Sequence, residues 1–281
     1  MVAKIIDGRA VAAKVVARVR ERAQALRARG VESCLAIVLV GDDPISHRLV
    51  ERKCAVCRDA GILARFIPLP ETAAQQELVA LIDELNADAS VHGVLCQLPF
   101  PGHINEKTVM QRIAREKDVD AFSALIGGDR DDMAACTPAG VIELLDSEGI
   151  VIAGKSCVVV GRSAIVGKPM AMQLMLRDGT VTVCHTKTRD LPDITVRADI
   201  LVVAAGSPRL VTADMVKEGA AVIDVGNNRD LNGVLCGDVD FDAVREKASH
   251  ITPVPGGVGP MTVAMLMQNT ITAAEKQAAG A

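Results

Sequence analysis

Short, strongly apolar runs alternate along this chain with longer segments in which apolar residues recur at helical spacing. Cys34–Val40, Leu63–Ile67 and Val91–Gln97 read as strands, and Val11–Arg29, Ser46–Ala60 and Ala73–Leu85 as helices around them. A charged, glycine-bearing stretch follows, from Lys117 to Ala135, with Gly127–Asp132 at its centre. Thr137-Pro138 then offers a cap and a proline at the first helical position, opening a helix over Ala139–Leu145. A second alternating series has strands at Ser156–Val160, Thr180–Cys184, Ile200–Ala204 and Ala221–Val225. A last helix runs from Thr262 to about Lys276. Strand–helix alternation of this kind predicts an α/β fold with parallel sheets covered on both faces, and a domain boundary near residue 137.

Composition narrows the function. The 281 residues suffice for one large or two modest domains. Apolar residues make up 49% of the chain, yet there are four Phe and no Tyr or Trp, so the core must rest on aliphatic side chains and Met. The same scarcity argues against nucleic-acid binding by stacking on aromatic platforms. The net charge of −4 is spread without a basic patch. The N-terminus lacks a secretory apolar region and no apolar run is long enough to cross a bilayer, so a soluble cytoplasmic protein without membrane partners is expected. Most of the eight cysteines lie in apolar strand-like runs, where a reduced thiol behaves as a small hydrophobe. Cys54-Ala-Val-Cys57 lies in a helical pattern with no second pair, and no metal site is expected.

The most informative segment is Val158–Pro169. Three valines run into a turn with Gly161, Ser163 and Gly167, and a helical stretch, Met170–Leu176, follows. A strand feeding a tight turn onto a helix N-terminus favours a phosphate, and so a dinucleotide. Ser163 stands where the usual fingerprint has its second glycine, and Arg162 adds a fixed cation. Three other candidates are weaker alone. Lys53 lies on a helix, where solvent exposure is the common state. Gln97 closes a buried strand, where α/β sheets place ligands. Asp118-Val-Asp120 reads, in isolation, first as loop capping and only second as two carboxylates for a ligand. Pro253–Thr262 concentrates proline and glycine to a degree that an ordinary connection does not need, and lets backbone approach a flat ligand.

Taken together, and in order, these segments resemble the bifunctional methylenetetrahydrofolate dehydrogenase/methenyltetrahydrofolate cyclohydrolases. The likeness rests on Ile6-Asp-Gly8, Val40–Pro44 with Ser46, Gln97–Pro101, Lys117–Asp120, Cys136-Thr-Pro138, Gly161–Gly167, Val222–Gly226 and Pro253–Thr262. It implies two α/β domains with a ligand cleft between them, the second Rossmann-like. The first would span 1–137 with a returning C-terminal helix, 262–281, and the second 138–261. It implies NADP, or NAD, as cofactor, tetrahydrofolate one-carbon derivatives as substrates, and a homodimer. It implies oxidation of 5,10-methylenetetrahydrofolate to the methenyl form and hydrolysis of that to 10-formyltetrahydrofolate. Lys53, Gln97 and Asp120 fall on the catalytic positions. Leu49, Gly259, Pro260 and Thr262 fall on substrate positions. Gly161, Arg162, Ser163, Ile165, Gly167, Thr186 and Gly257 fall on the cofactor side. The chain departs from the family pattern at Leu49, where a tyrosine is usual, at Ala121, a glycine, at Ser123-Ala124, a His-Pro, and at Asn227. Because these departures gather on the folate side, a second reading is a relative with one activity or an altered folate-like substrate.

Overall fold

The computed structural model describes residues 2–121 and 133–280. Phe122, Ser123, Ala124 and the Gly127–Asp132 stretch lie outside the described residues. In chain order the first elements are β1 (Lys4–Ile5), α1 (Gly8–Ala28), β2 (Cys34–Val40), α2 (Pro44–Ala60), β3 (Leu63–Leu69), α3 (Gln75–Ala87), β4 (Gly93–Gln97) and α4 (Glu106–Met110). There follow α5 (Cys136–Ser147), β5 (Ser156–Val160), α6 (Gly167–Leu176), β6 (Thr180–Cys184), α7 (Leu191–Thr195), β7 (Ile200–Val203), β8 (Ala221–Asp224), β9 (Asn228–Arg229), β10 (Leu235–Cys236), α8 (Phe241–Val244), β11 (His250–Ile251) and α9 (Val258–Gly280).

The chain divides into two compact units, with divisions inside α1, at the start of α5 and inside α9. One unit holds a three-stranded parallel sheet in the order β3-β2-β4. Every residue of β2 is buried, as befits a central parallel strand covered on both faces. Val38, Leu78, Ile82, Val94 and Val109 belong to the aliphatic core on one face of this sheet. β3 is the edge strand, and Leu63 and Phe66 on it are exposed.

The other unit holds a six-stranded parallel sheet in the order β1-β11-β8-β7-β5-β6. Residues up to Ala12 belong to it. The partition expected from sequence put them with the first domain, but the backbone of β1 pairs with β11, Ile5 opposite Ile251. A two-residue strand has no period to read, so only this long-range pairing places it. In this sheet β5 lies between β6 and β7. The connections leaving β5's two sides therefore diverge, which opens a crevice at the C-terminal strand ends where α/β sheets take ligands.

Two helix starts differ from expectation. α5 begins at Cys136, so Thr137 lies in its first turn and is not its cap. α9 begins at Val258, which puts Gly259 and Pro260 in its first turn and Thr262 just after it, not in the preceding loop. Proline is tolerated there because the first four helical N–H groups have no partner within the helix.

Candidate active site

Within the first unit Lys53 is hydrogen-bonded to Gln97, and the charge of Asp120 acts on Lys53. Lys53 sits on α2, whose start is fixed by Asp43. That carboxylate accepts hydrogen bonds from the Ser46 backbone N–H and from the Ser46 hydroxyl, both at 2.8 Å. Gly61, left-handed at φ 74°, ends the helix. Lys53 falls one turn after Leu49 and between buried Val50 and Cys57, at the margin of the packed stripe. Leu49 is exposed.

Lys53 Nζ donates to Gln97 Oε1 at 2.5 Å. Gln97 is the last residue of β4, 7% exposed, and its register opposite Leu39 of β2 carries it to the C-terminal sheet edge. Its Nε2 donates to the Leu98 carbonyl at 2.6 Å, which leaves the amide oxygen turned toward the lysine. Asp120 follows a bridge between Asp118 and Val94, next to β4, and its charge acts on Lys53. Burial pulls the Lys53 ammonium below the ordinary lysine pKa, with the Asp120 carboxylate opposing. Burial raises the Asp120 carboxyl, with Lys53 and a Cys136 hydrogen bond opposing. The site thus holds an amine that gives up its proton more readily than usual beside a carboxyl that keeps its own more readily. Such opposed shifts suit a site that moves protons.

Two supporting residues were not singled out by sequence. The Cys136 thiol lies between the Asp120 carboxylate and the Val119 carbonyl (3.4 Å), and burial pushes its pKa well up, so it remains a thiol and a donor. Asn269, buried on α9, donates through Nδ2 to the Val119 and Ala134 carbonyls, each at 2.8 Å. It stands between polar Gln268 and Thr270, so nothing local in the sequence marked it. Ala121, directly after Asp120, is buried with φ 56°, a left-handed backbone that glycine adopts more easily.

In the second unit, β5 runs into the turn at Gly161, and α6 follows. Gly161 has φ 128°, and a Cβ on it would lie 2.1 Å from the Ala204 carbonyl oxygen at the end of β7. A Cβ on Gly167 would lie 2.2 Å from the Gly161 carbonyl oxygen. Both glycines are therefore required by close backbone approach. The Ser163 hydroxyl accepts from the N–H groups of Val166 (3.2 Å) and Gly167 (3.3 Å), capping the entry to α6. Arg162, Ser163 and Ile165 are exposed around this turn. Thr186 is exposed two residues beyond β6, as Arg162 is beyond the adjacent β5, so both stand at one sheet edge. This tight glycine turn at a helix start, with an exposed guanidinium beside it, suits a dinucleotide phosphate. Gly257 packs under Gly8, where a Cβ would fall 1.8 Å from the Gly257 carbonyl oxygen. The Thr262 and Thr137 hydroxyls are hydrogen-bonded at 3.0 Å. Among the described residues no group of His, Cys, Asp and Glu is arranged to hold a metal ion.

Comparison with known proteins agrees over the whole length. Residues 6–120 match the family model for the tetrahydrofolate dehydrogenase/cyclohydrolase catalytic domain, and residues 135–278 that for its NAD(P)-binding domain. The bifunctional protein FolD of Bordetella avium is 52% identical over 280 residues, covering 98% of this chain and 99% of its own. The crystal structure of the bifunctional enzyme FolD, a methylenetetrahydrofolate dehydrogenase/cyclohydrolase, from Campylobacter jejuni aligns with TM-score 0.95 at 47% identity, covering 98% and 99% of the two chains. The Trypanosoma brucei N5,N10-methylenetetrahydrofolate dehydrogenase-cyclohydrolase, complexed with NADP cofactor and an inhibitor, aligns with TM-score 0.92 at 38% identity, covering 99% of each chain. The chain belongs to the tetrahydrofolate dehydrogenase/cyclohydrolase family.

Proposed function

We propose that this chain oxidises 5,10-methylenetetrahydrofolate with NADP and hydrolyses the methenyl product to 10-formyltetrahydrofolate, with Lys53, Gln97 and Asp120 as the catalytic side chains. The observation that carries this reading is the meeting of an amine, an amide and a carboxyl from three distant segments, with the amine donating to the amide. Bound NADP supplies the hydride acceptor. The turn at Gly161–Gly167 holds its pyrophosphate, with Arg162 and Thr186 toward the 2′-phosphate. Asp120 accepts N–H groups from the pterin edge. In the hydrolytic step, neutral Lys53 Nζ takes a proton from the water that adds to the methenyl carbon. The same Nζ returns a proton to N5 as the C–N5 bond breaks, and one proton is released overall. Gln97 Oε1 holds Nζ in place through both transfers. By the family resemblance Leu49, Gly259, Pro260 and Thr262 are assigned to folate binding and Gly257 to nicotinamide binding.

The reading of a relative with a single activity draws no support from the comparisons. We also propose a homodimer, supported by the free edge of β3 with its exposed Leu63 and Phe66. A cytoplasmic setting is supported by eight cysteines that are all free. Among the described residues no helix is long and apolar enough to cross a membrane. The test is direct. Purified protein should form NADPH in the presence of methylenetetrahydrofolate and should consume methenyltetrahydrofolate without nucleotide. Failure of both would overturn the assignment.

A further inference from the structure

Asp238 is fully buried in the second unit, and nothing in the reaction above uses it. Its carboxylate receives three consecutive backbone N–H groups. Ala205 (2.6 Å) and Gly206 (3.0 Å) donate to Oδ2, and Ser207 (2.8 Å) donates to Oδ1. The Asn228 side-chain amide adds a fourth donor to Oδ1 at 2.7 Å. Three successive amides turned toward one point form a concavity that suits an anion. Here the anion is part of the protein.

The place of this loop matters. It leaves the C-terminal end of β7, on the crevice side of the sheet next to β5. Its neighbour Ala204 is the residue against which Gly161 of the phosphate turn is packed. Ala205 and Gly206 are exposed although their N–H groups point inward. The loop thus offers its outer face to the crevice while its donors are consumed beneath.

Asp238 is itself held by a second buried carboxylate. Asp224, the last residue of β8, accepts the backbone N–H of Asp238 (2.9 Å) and of Val239 (3.0 Å). It also accepts that of Gly226 at 2.8 Å. The fit leaves no slack. A Cβ on Gly237 would lie 1.8 Å from Asp224 Oδ2, and one on Gly226 would lie 2.3 Å from the Asp238 nitrogen. The two carboxylates therefore tie the loop after β7, the loop after β8 and the segment at Gly237–Val239 into one support below the phosphate turn.

We infer that Asp238 is a positioning residue for the nucleotide: it preforms the 205–207 loop as one wall of the dinucleotide crevice before the cofactor arrives. It acts through backbone and touches no reacting atom. A carboxylate suits this because it accepts at both oxygens, whereas an asparagine must turn an NH₂ toward at least one donor. A preformed wall removes an ordering cost from binding, so its loss is read in nucleotide affinity.

The inference rests on the nucleotide site proposed above, and the experiment separates the two. If wild-type protein does not bind NADP⁺, the site assignment fails. If it binds and Asp238→Asn binds equally well, only the role of Asp238 fails. The expected result for Asp238→Asn is an NADP⁺ Kd raised on the order of tenfold or more. Hydrolysis of methenyltetrahydrofolate without nucleotide should stay within about twofold of wild type, because Lys53, Gln97 and Asp120 belong to the other unit. A Kd within about twofold of wild type overturns the role, whereas a parallel loss of binding and hydrolysis marks general unfolding and passes the test to a milder variant. Should Asp238→Asn not fold, Asn228→Ala removes one donor and serves with the same two readouts. Wild-type hydrogen exchange adds a check that needs no variant. The amides of residues 205–207 should be protected in the free enzyme as in the NADP⁺ complex. Fast exchange in the free enzyme that slows only with nucleotide would mean that the ligand, not Asp238, orders the loop.

Discussion

Replacing Lys53 by methionine should separate activity from stability in opposite directions. Methionine keeps the apolar stem and removes the ammonium. Burial lowers the Lys53 pKa in the folded protein, so folding binds this proton less tightly than the unfolded chain does. The sign follows. Below the lowered pKa the charged lysine costs stability in full, and the cost fades as pH rises toward the unfolded value of about 10.4. Lys53→Met should therefore be at least as stable as wild type at neutral pH, with its advantage shrinking in alkali. The orphaned Gln97 oxygen offsets part of the gain, since it loses a 2.5 Å hydrogen bond worth about 1 kcal/mol.

Activity should move the other way. A positioned general base contributes on the order of 10²–10⁴ in rate, or roughly 3–5 kcal/mol. Methenyltetrahydrofolate hydrolysis should fall by that factor, and NADPH formation from methylenetetrahydrofolate should fall less. The assay is the decay of methenyl absorbance across pH, beside urea denaturation of both proteins. In wild type, hydrolysis should rise with pH through an apparent pKa below that of free lysine, and Lys53→Met should lose this limb. Asp120 loses its compensating cation in the variant, so its carboxyl should titrate higher still. Hydrolysis within about tenfold of wild type, with the alkaline limb intact, would refute the assignment of Lys53 as base.

Four further outcomes are expected. Leu49→Tyr restores a ring one turn before Lys53 and should lower the folate KM about fivefold, a gain near 1 kcal/mol, measurable by initial rates. Ala121→Gly relieves a left-handed alanine at φ 56° and should raise the unfolding free energy by about 0.5–1 kcal/mol in urea titrations. Gly161→Ala would place a Cβ 2.1 Å from the Ala204 carbonyl oxygen and should abolish NADP⁺ binding in calorimetry. Burial outweighs three donated N–H groups at Asp224 and pushes its carboxyl up to about 6. A raised carboxyl adds stability as pH falls through its folded pKa. Wild type should therefore gain about 2 kcal/mol on Asp224→Asn between about pH 7 and about pH 4.5 in paired urea midpoints.

How much of this was legible in the sequence varied with the range of the interaction involved. β2 and β5 were readable to the residue because each is a compact apolar run, and β6 because Thr and Val alternate along it at strand period, all local signals. β1, β11 and the β9–β10 hairpin were not, since two-residue strands are defined only by their partners. The Gly161 turn announced itself through composition, and the close approach to Ala204 explains why glycine stands there. Lys53, Gln97 and Asp120 were individually ordinary, and only the family likeness joined them. The structure supplies the reason. Parallel register and the bridge beside β4 bring them together, and neither leaves a trace in spacing. Asp238 marks the limit of such reading. Its three main partners are backbone amides 31 to 33 residues upstream, and backbone amides carry no side-chain identity. What could have flagged it is indirect: Asp224 and Asp238, both acidic amid apolar neighbours, had to find several donors each or remain unburied. A buried carboxylate in an α/β domain that is neither ion-paired nor catalytic is thus best read as an anchor for a loop. The loop it anchors, at the crevice edge of the sheet, is where its effect on function should be sought.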